Sequence, residues 1–212
     1  MAARIVPASE PFDAEVAQTI ERTMKGRPPL QLFTMLARDP RLAKKFFAGG
    51  LLDKGNLTIR QREIVIDRTT ALCRSEYEWG VHVASFAASA ALTEEQVRAT
   101  VHGGADAPCW TDEERSLLRL CDSLHHGCDV DDALWADLRR TFTDEALLEL
   151  LMLAGFYRTV SYLTNATRLP LVAGCPRFHV PAERRDARPD PASAPGIQGA
   201  EPEPPREEAA PR

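Results

Sequence analysis

Four times along this chain a Ser or Thr is followed three residues later by Glu or Gln at the head of a helically spaced run: Thr58 with Gln61, Ser75 with Glu78, Thr93 with Gln96, and Thr111 with Glu114. In such a capping box the hydroxyl accepts from the backbone N–H three residues on. The longer side chain returns to the N–H of the cap, so two unpaired donors of the first turn are satisfied together. A chain punctuated in this way is committed to helices. Asp131 and Thr143 read as single caps for two more. Asp13 can cap a helix carrying Val16, Ile20 and Met24 that ends at Gly26, and a short helix follows through Leu30, Phe33 and Leu36. Asp39-Pro40 is a cap followed by proline in the first turn, with Gly49-Gly50 as its stop. No hairpin signal, alternating strand or fixed-period repeat breaks the pattern. The expectation is an all-α bundle of about seven or eight helices.

A boundary lies near Val180. From Pro181 to Arg212 stand eight of the sixteen prolines, many charges, and Ile197 as the only large aliphatic side chain. Such a segment buries too little apolar surface to offset its ordering entropy. The chain therefore divides into a flexible N-terminus (1–9), one helical domain (10–178) and a disordered Pro-rich tail (179–212).

Composition narrows the function classes. A net charge of −5, with no Lys/Arg cluster in the helical part, argues against nucleic-acid binding. Five scattered cysteines, an odd number, are not a disulfide framework, so reduced thiols and a cytoplasmic location are expected. Met1 to Phe12 lacks the apolar core of a signal peptide. The longest apolar run, Leu147 to Val160, is broken by Glu149 and Arg158, so no membrane span is expected.

The residues with chemistry lie between Thr58 and His82. Ile59, Glu63, Ile66 and Thr70 share a helical face, so Glu63 interrupts a mostly apolar stripe. A carboxylate there is partly desolvated and its pKa rises unless a partner is close. The alternative is a plain ion pair with Arg60, Arg62 or a more distant residue. On the next helix Glu78 and His82 are four apart and face the same way. A carboxylate beside an imidazole fixes its tautomer and raises its pKa, which prepares a general acid or base. Glu78 also occupies the third position of a capping box, while Glu76 reads as a helix-dipole partner.

Glu63, the run Ser75-Glu76-Tyr77-Glu78-Trp79 and His82 together resemble the carboxymuconolactone decarboxylase and alkylhydroperoxidase-D-like superfamily. Gly155-Phe156-Tyr157, Ser161 and the stretch Asn165 to Pro170 look like the closing helix of one subgroup, and the likeness covers roughly residues 25–172. In the peroxidase branch a Glu, a Cys-x-x-Cys pair and a His form the relay and the thiols. The resemblance places Glu63 and His82 at the Glu and His, but Ser75 and Glu78 at the two cysteines. Neither can do thiol redox work, and Cys73 stands two residues away at a helix end with no evident resolving partner. The resemblance therefore implies the decarboxylase side: cofactor-free loss of carbon dioxide, or proton transfer, on a small carboxylated lactone or carbonyl compound. His82 would be the acid/base, Glu63 its orienting carboxylate, and Glu78 or Tyr77 a contact to substrate or proton. Ser75 and Trp79 complete the candidate substrate contacts, although Trp79 also reads as core. Arg68 or Arg74 could pair with a substrate carboxylate. A homo-oligomer, trimer or hexamer, is implied as well.

Two other readings compete. Cys121, His125, His126, Cys128 and Asp129 crowd nine positions, but their spacing matches no common zinc motif. Leu117, Leu118, Leu120 and Leu124 make that segment a core helix stopped by Gly127, so no metal and no cofactor are expected. A non-enzymatic interaction module is the other alternative. It is distinguished by whether Glu63 and His82 face a shared pocket, or Glu63 pairs only with a surface Arg while His82 is simply packed.

Overall fold

The computed structural model describes residues 3–178; the expected tail lies outside the described residues. Among these residues there are nine α-helices and no strand. They are α1 (Ala14–Met24), α2 (Gln31–Leu36), α3 (Pro40–Ala48), α4 (Ile59–Leu72), α5 (Glu76–Phe86), α6 (Glu94–Val101), α7 (Asp112–Gly127), α8 (Asp132–Arg139) and α9 (Asp144–Thr167), with a single 3₁₀ turn at Gly104–Asp106. Residues at the N-terminal end are tied to the last helix, where the Arg4 N–H donates to the Thr167 carbonyl at 2.7 Å.

Three of the four capping boxes form as complete pairs, at Thr58, Thr93 and Thr111. The fourth does not. Ser75 heads α5 without a side-chain cap bond, because its fully buried hydroxyl pairs with the Thr164 hydroxyl of α9 at 2.8 Å. Glu78 is thereby released from capping. α7 also runs one residue further than expected: Gly127 is its last helical residue, and Cys128 takes the left-handed position with φ 55°.

α4 is the axis of the bundle and packs against α5, α6, α7 and α9. Ile64, Val65 and Ile66, three in a row, are all fully buried, which only a helix surrounded on several sides permits. A smaller apolar cluster of Val16, Ile20, Met24, Ala37 and Ala43 holds α1 and α3 together. After α9 the chain crosses back over α5 at Gly80, where a Cβ would sit 2.6 Å from the Pro176 carbonyl oxygen. The Phe178 N–H then donates to Glu76 at 2.7 Å, and the Phe178 ring packs on Trp79.

α9 continues straight through Glu149 and Arg158 and, by length and composition alone, is sufficient to cross a membrane. Its packed side, with Leu147, Leu150, Leu153, Ala154, Tyr157 and Val160, accounts for the apolarity. Glu149 turns outward to the Asn56 N–H and side-chain amide, and Arg158 turns to the last carbonyls of α7.

Candidate functional site

The helical stripe of α4 and the first turns of α5 meet at one buried imidazole. Glu63 Oε2 lies 2.8 Å from His82 Nδ1, with the two side chains 1% and 4% exposed. On the other side of the ring Glu78 Oε1 stands 3.5 Å from Nε2. Glu63 uses its second oxygen on Arg62, whose Nε is 3.0 Å from Oε1. The expected ion pair with Arg62 is present, and the same carboxylate also reaches His82. Arg62 is itself fixed by the Leu52 carbonyl and lies over the Phe86 ring. Phe86 and Tyr157 pack on the imidazole at 5.3 and 4.9 Å between ring centroids.

These neighbours decide the protonation state. Burial alone pushes the His82 imidazole down, but hydrogen bonds to Glu63 and Glu78, and their charges, outweigh it and lift the pKa to about 10. At neutral pH His82 is an imidazolium held between carboxylates, with N–H donors at both ring nitrogens. That is a proton donor kept dry and oriented. Glu63 and His82 are in contact, so Glu63 does not pair with Arg62 alone.

Over residues 40–123, which run from α3 into α7 and contain Glu63, Glu78 and His82, the chain matches the sequence model of the Carboxymuconolactone decarboxylase family. No curated protein matches the chain. Among solved structures, a peroxidase-related protein with an alkylhydroperoxidase AhpD core from Ralstonia eutropha JMP134 superposes with a TM-score of 0.70 at 21% identity, covering 81% of this chain and 95% of that one. Over residues 40–123 the chain is similar to the Carboxymuconolactone decarboxylase family, and its fold is that of the alkylhydroperoxidase AhpD core. A peroxidase-related protein from Silicibacter sp. TM1040 has the same TM-score, 0.70, at 16% identity, covering 81% and 92%. The debrominase Bmp8, as a variant in complex with 2,3,4-tribromopyrrole, superposes with a TM-score of 0.64 at 16% identity, covering 82% and 94%. At these identities the three structures share the fold.

The remaining candidates of the superfamily motif have partners inside the protein. Ser75 is taken by Thr164. The Tyr77 hydroxyl accepts from the Leu32 N–H at 3.4 Å, serving the first turn of α2, whose N-cap Leu30 has no polar side chain. Burial, then the nearby Glu78 charge, push that phenol up to about 12 against the Leu32 hydrogen bond. The Trp79 indole donates to Thr100 at 3.0 Å and is 2% exposed. The polar atoms of all three residues are thus hydrogen-bonded within the fold. Arg68 is spent on Asp122 and the Thr100 carbonyl, and Arg74 is exposed at φ 54° in the turn before α5. The Cys73 thiol is 3.8 Å from His125 Nδ1, and burial pushes its pKa up, the reverse of what a reactive thiolate needs.

Sequence reasoning missed Asp67. It stands four residues after Glu63 on α4 and is 1% exposed, with neither carboxyl oxygen hydrogen-bonded among the described residues. Its spacing from Glu63 was the available signal. Burial first, then the Glu63 charge, hold its carboxyl well above the ordinary range, with His82 opposing. The folded state therefore keeps a proton that the unfolded chain releases. This contribution to stability is full below the ordinary Asp pKa of about 3.9 and is lost as pH rises through the raised value. Asp67→Asn should gain melting temperature relative to wild type as pH is raised from 4 to 8, read by thermal unfolding at each pH. A difference that stays flat over that range would mean the carboxyl ionises as easily folded as unfolded.

Proposed function

We propose that the protein is a cofactor-free acid–base enzyme acting on a small carboxylated lactone or carbonyl compound, with decarboxylation as its first-choice reaction. The observation that carries this reading is the 2.8 Å contact between Glu63 and His82 in a buried setting that keeps the ring protonated. Loss of carbon dioxide from a carboxylated unsaturated lactone breaks the bond to the carboxyl carbon and leaves its electron pair in a dienolate. The barrier falls if the developing charge is stabilised and a proton is delivered to the far carbon. The His82 imidazolium supplies both a positive charge and the proton. Glu63, anchored by Arg62, fixes the ring through Nδ1. Glu78, beside Nε2, is placed to return a solvent proton after each turnover. Its second oxygen is buried without a partner among the described residues, and so remains for substrate or water.

The relatives named as peroxidase-related share the fold, but the motif positions for paired thiols hold Ser75 and Glu78 here, which disfavours thiol peroxidase chemistry. The test is carbon dioxide release from 4-carboxymuconolactone by the purified protein. Release above the uncatalysed rate supports the decarboxylase assignment; its absence, with turnover of another small carbonyl acid, would move the protein to proton transfer.

We also propose self-association through α9. Leu148, Met152 and Tyr162, each more than half exposed, recur at helical spacing on its outward face. Sedimentation should show a trimer or hexamer, and Met152→Glu should shift it towards monomer. A monomer at micromolar wild-type protein would overturn the idea.

A further inference from the structure

A cavity lies away from His82, between α4, α7 and α9. It encloses about 190 Å³ and is lined by Thr69, Leu124, His125, Leu151, Ala154 and Arg158, with the thiols of Cys121 and Cys128 completing the wall. That is room for roughly six water-sized units, the body of a small ring or branched chain. Its chemistry is asymmetric. Leu124, Leu151 and Ala154 supply an apolar wall. Thr69 lines the space from α4, but its hydroxyl is sealed from solvent and lies beside the Cys121 thiol. A Cβ on Gly155 would meet nothing within 4 Å, so α9 leaves its side of the space open.

Arg158 supplies the charge. Its Nε donates to the Tyr162 hydroxyl at 2.8 Å, and its Nη1 donates to the Leu124 and His125 carbonyls. These bonds fix the guanidinium against the end of α7, and no carboxylate among the described residues neutralises it. His125 adds no second charge at neutral pH, because burial and the Arg158 cation push its pKa down.

We propose that this cavity binds a small monocarboxylate with an apolar body, its carboxylate on Arg158 and its body against Leu124, Leu151 and Ala154. The site is separate from the His82 group and does not depend on the decarboxylase reading. A guanidinium already held by carbonyls loses little freedom on pairing, and the apolar wall gives the ring or chain a dry surface.

Benzoate is the probe, with benzamide as its neutral counterpart, titrated into the full-length protein and followed by amide shifts in a ¹H–¹⁵N spectrum. Benzoate should saturate with the largest shifts at Thr69, Cys128, Leu151 and Gly155. Benzamide should bind about tenfold more weakly, as should benzoate to Arg158→Gln. His82→Gln should leave benzoate affinity unchanged; binding that disappears in His82→Gln would place benzoate at the acid–base group and overturn the proposal. Shifts that fail to saturate at these four residues, or equal affinity for benzoate and benzamide, would also overturn it. Since Arg158 helps to close α7, the benzoate–benzamide comparison on the unaltered protein decides the matter if Arg158→Gln fails to fold.

Discussion

His82→Gln should lower turnover by about 10²- to 10⁴-fold, the range expected when a positioned general acid is removed. Glutamine keeps a side-chain amide near the Glu63 carboxylate but has no transferable proton at the position of Nε2. The packing of Phe86 and Tyr157 is largely preserved, so the loss would be chemical. The pH profile makes the assignment specific. With a pKa of about 10, His82 is in its acid form throughout the neutral range, and activity should fall only as pH rises through that value. Glu63→Gln removes the charge and leaves only a weaker, neutral acceptor, so the same fall should occur at lower pH. The ring can be titrated directly by NMR without a substrate. An imidazole found neutral at pH 8 in the wild type would remove the proton donor from the mechanism, whatever the substrate proves to be.

The fold was legible because its signals are local. A capping box needs only four residues, and three of the four formed as read, at Thr58, Thr93 and Thr111. Ser75 failed for a reason no window around it contains, namely a hydroxyl partner on α9 eighty-nine residues later. The Glu63–His82 contact was half legible. Helical spacing put Glu63 on an apolar face and His82 in line with Glu78, but only the packing of α4 on α5 joins them. Asp67 was on the same face and was passed over because nothing in the local sequence says that its carboxyl is sealed from water. Thr69, His125 and Arg158 come from three helices, so their cavity exists only in the folded bundle. The apolar run of α9 was read as broken by Glu149 and Arg158; the helix runs on because both reach outward to partners on other segments.

The buried ion pair should also make the stability of the protein depend on pH in a direction fixed by His82. Its folded-state pKa is raised from the ordinary value near 6.5 to about 10, so the folded state holds a proton that the unfolded chain has released across that interval. The stabilisation is fully present below pH 6.5 and is lost as pH rises to 10. Glu63→Ala leaves Arg62 without its carboxylate and the buried imidazolium with Glu78 alone, and breaking such a pair costs about 3–5 kcal/mol at pH 6. The deficit should shrink towards pH 10, where the wild-type ring has itself lost its proton. Part of it will persist at every pH, because deleting the side chain leaves a void between α4 and α5. Glu63→Gln separates the two contributions: it retains the volume and loses the charge, so its deficit should follow the His82 titration more closely. Urea unfolding of both variants at pH 6, 8 and 10 reads this directly. A Glu63→Gln deficit that is constant over the three pH values would mean that Glu63 supports His82 by packing rather than by charge. The wild-type protein would then lack the dry, protonated imidazole on which the proposed chemistry depends.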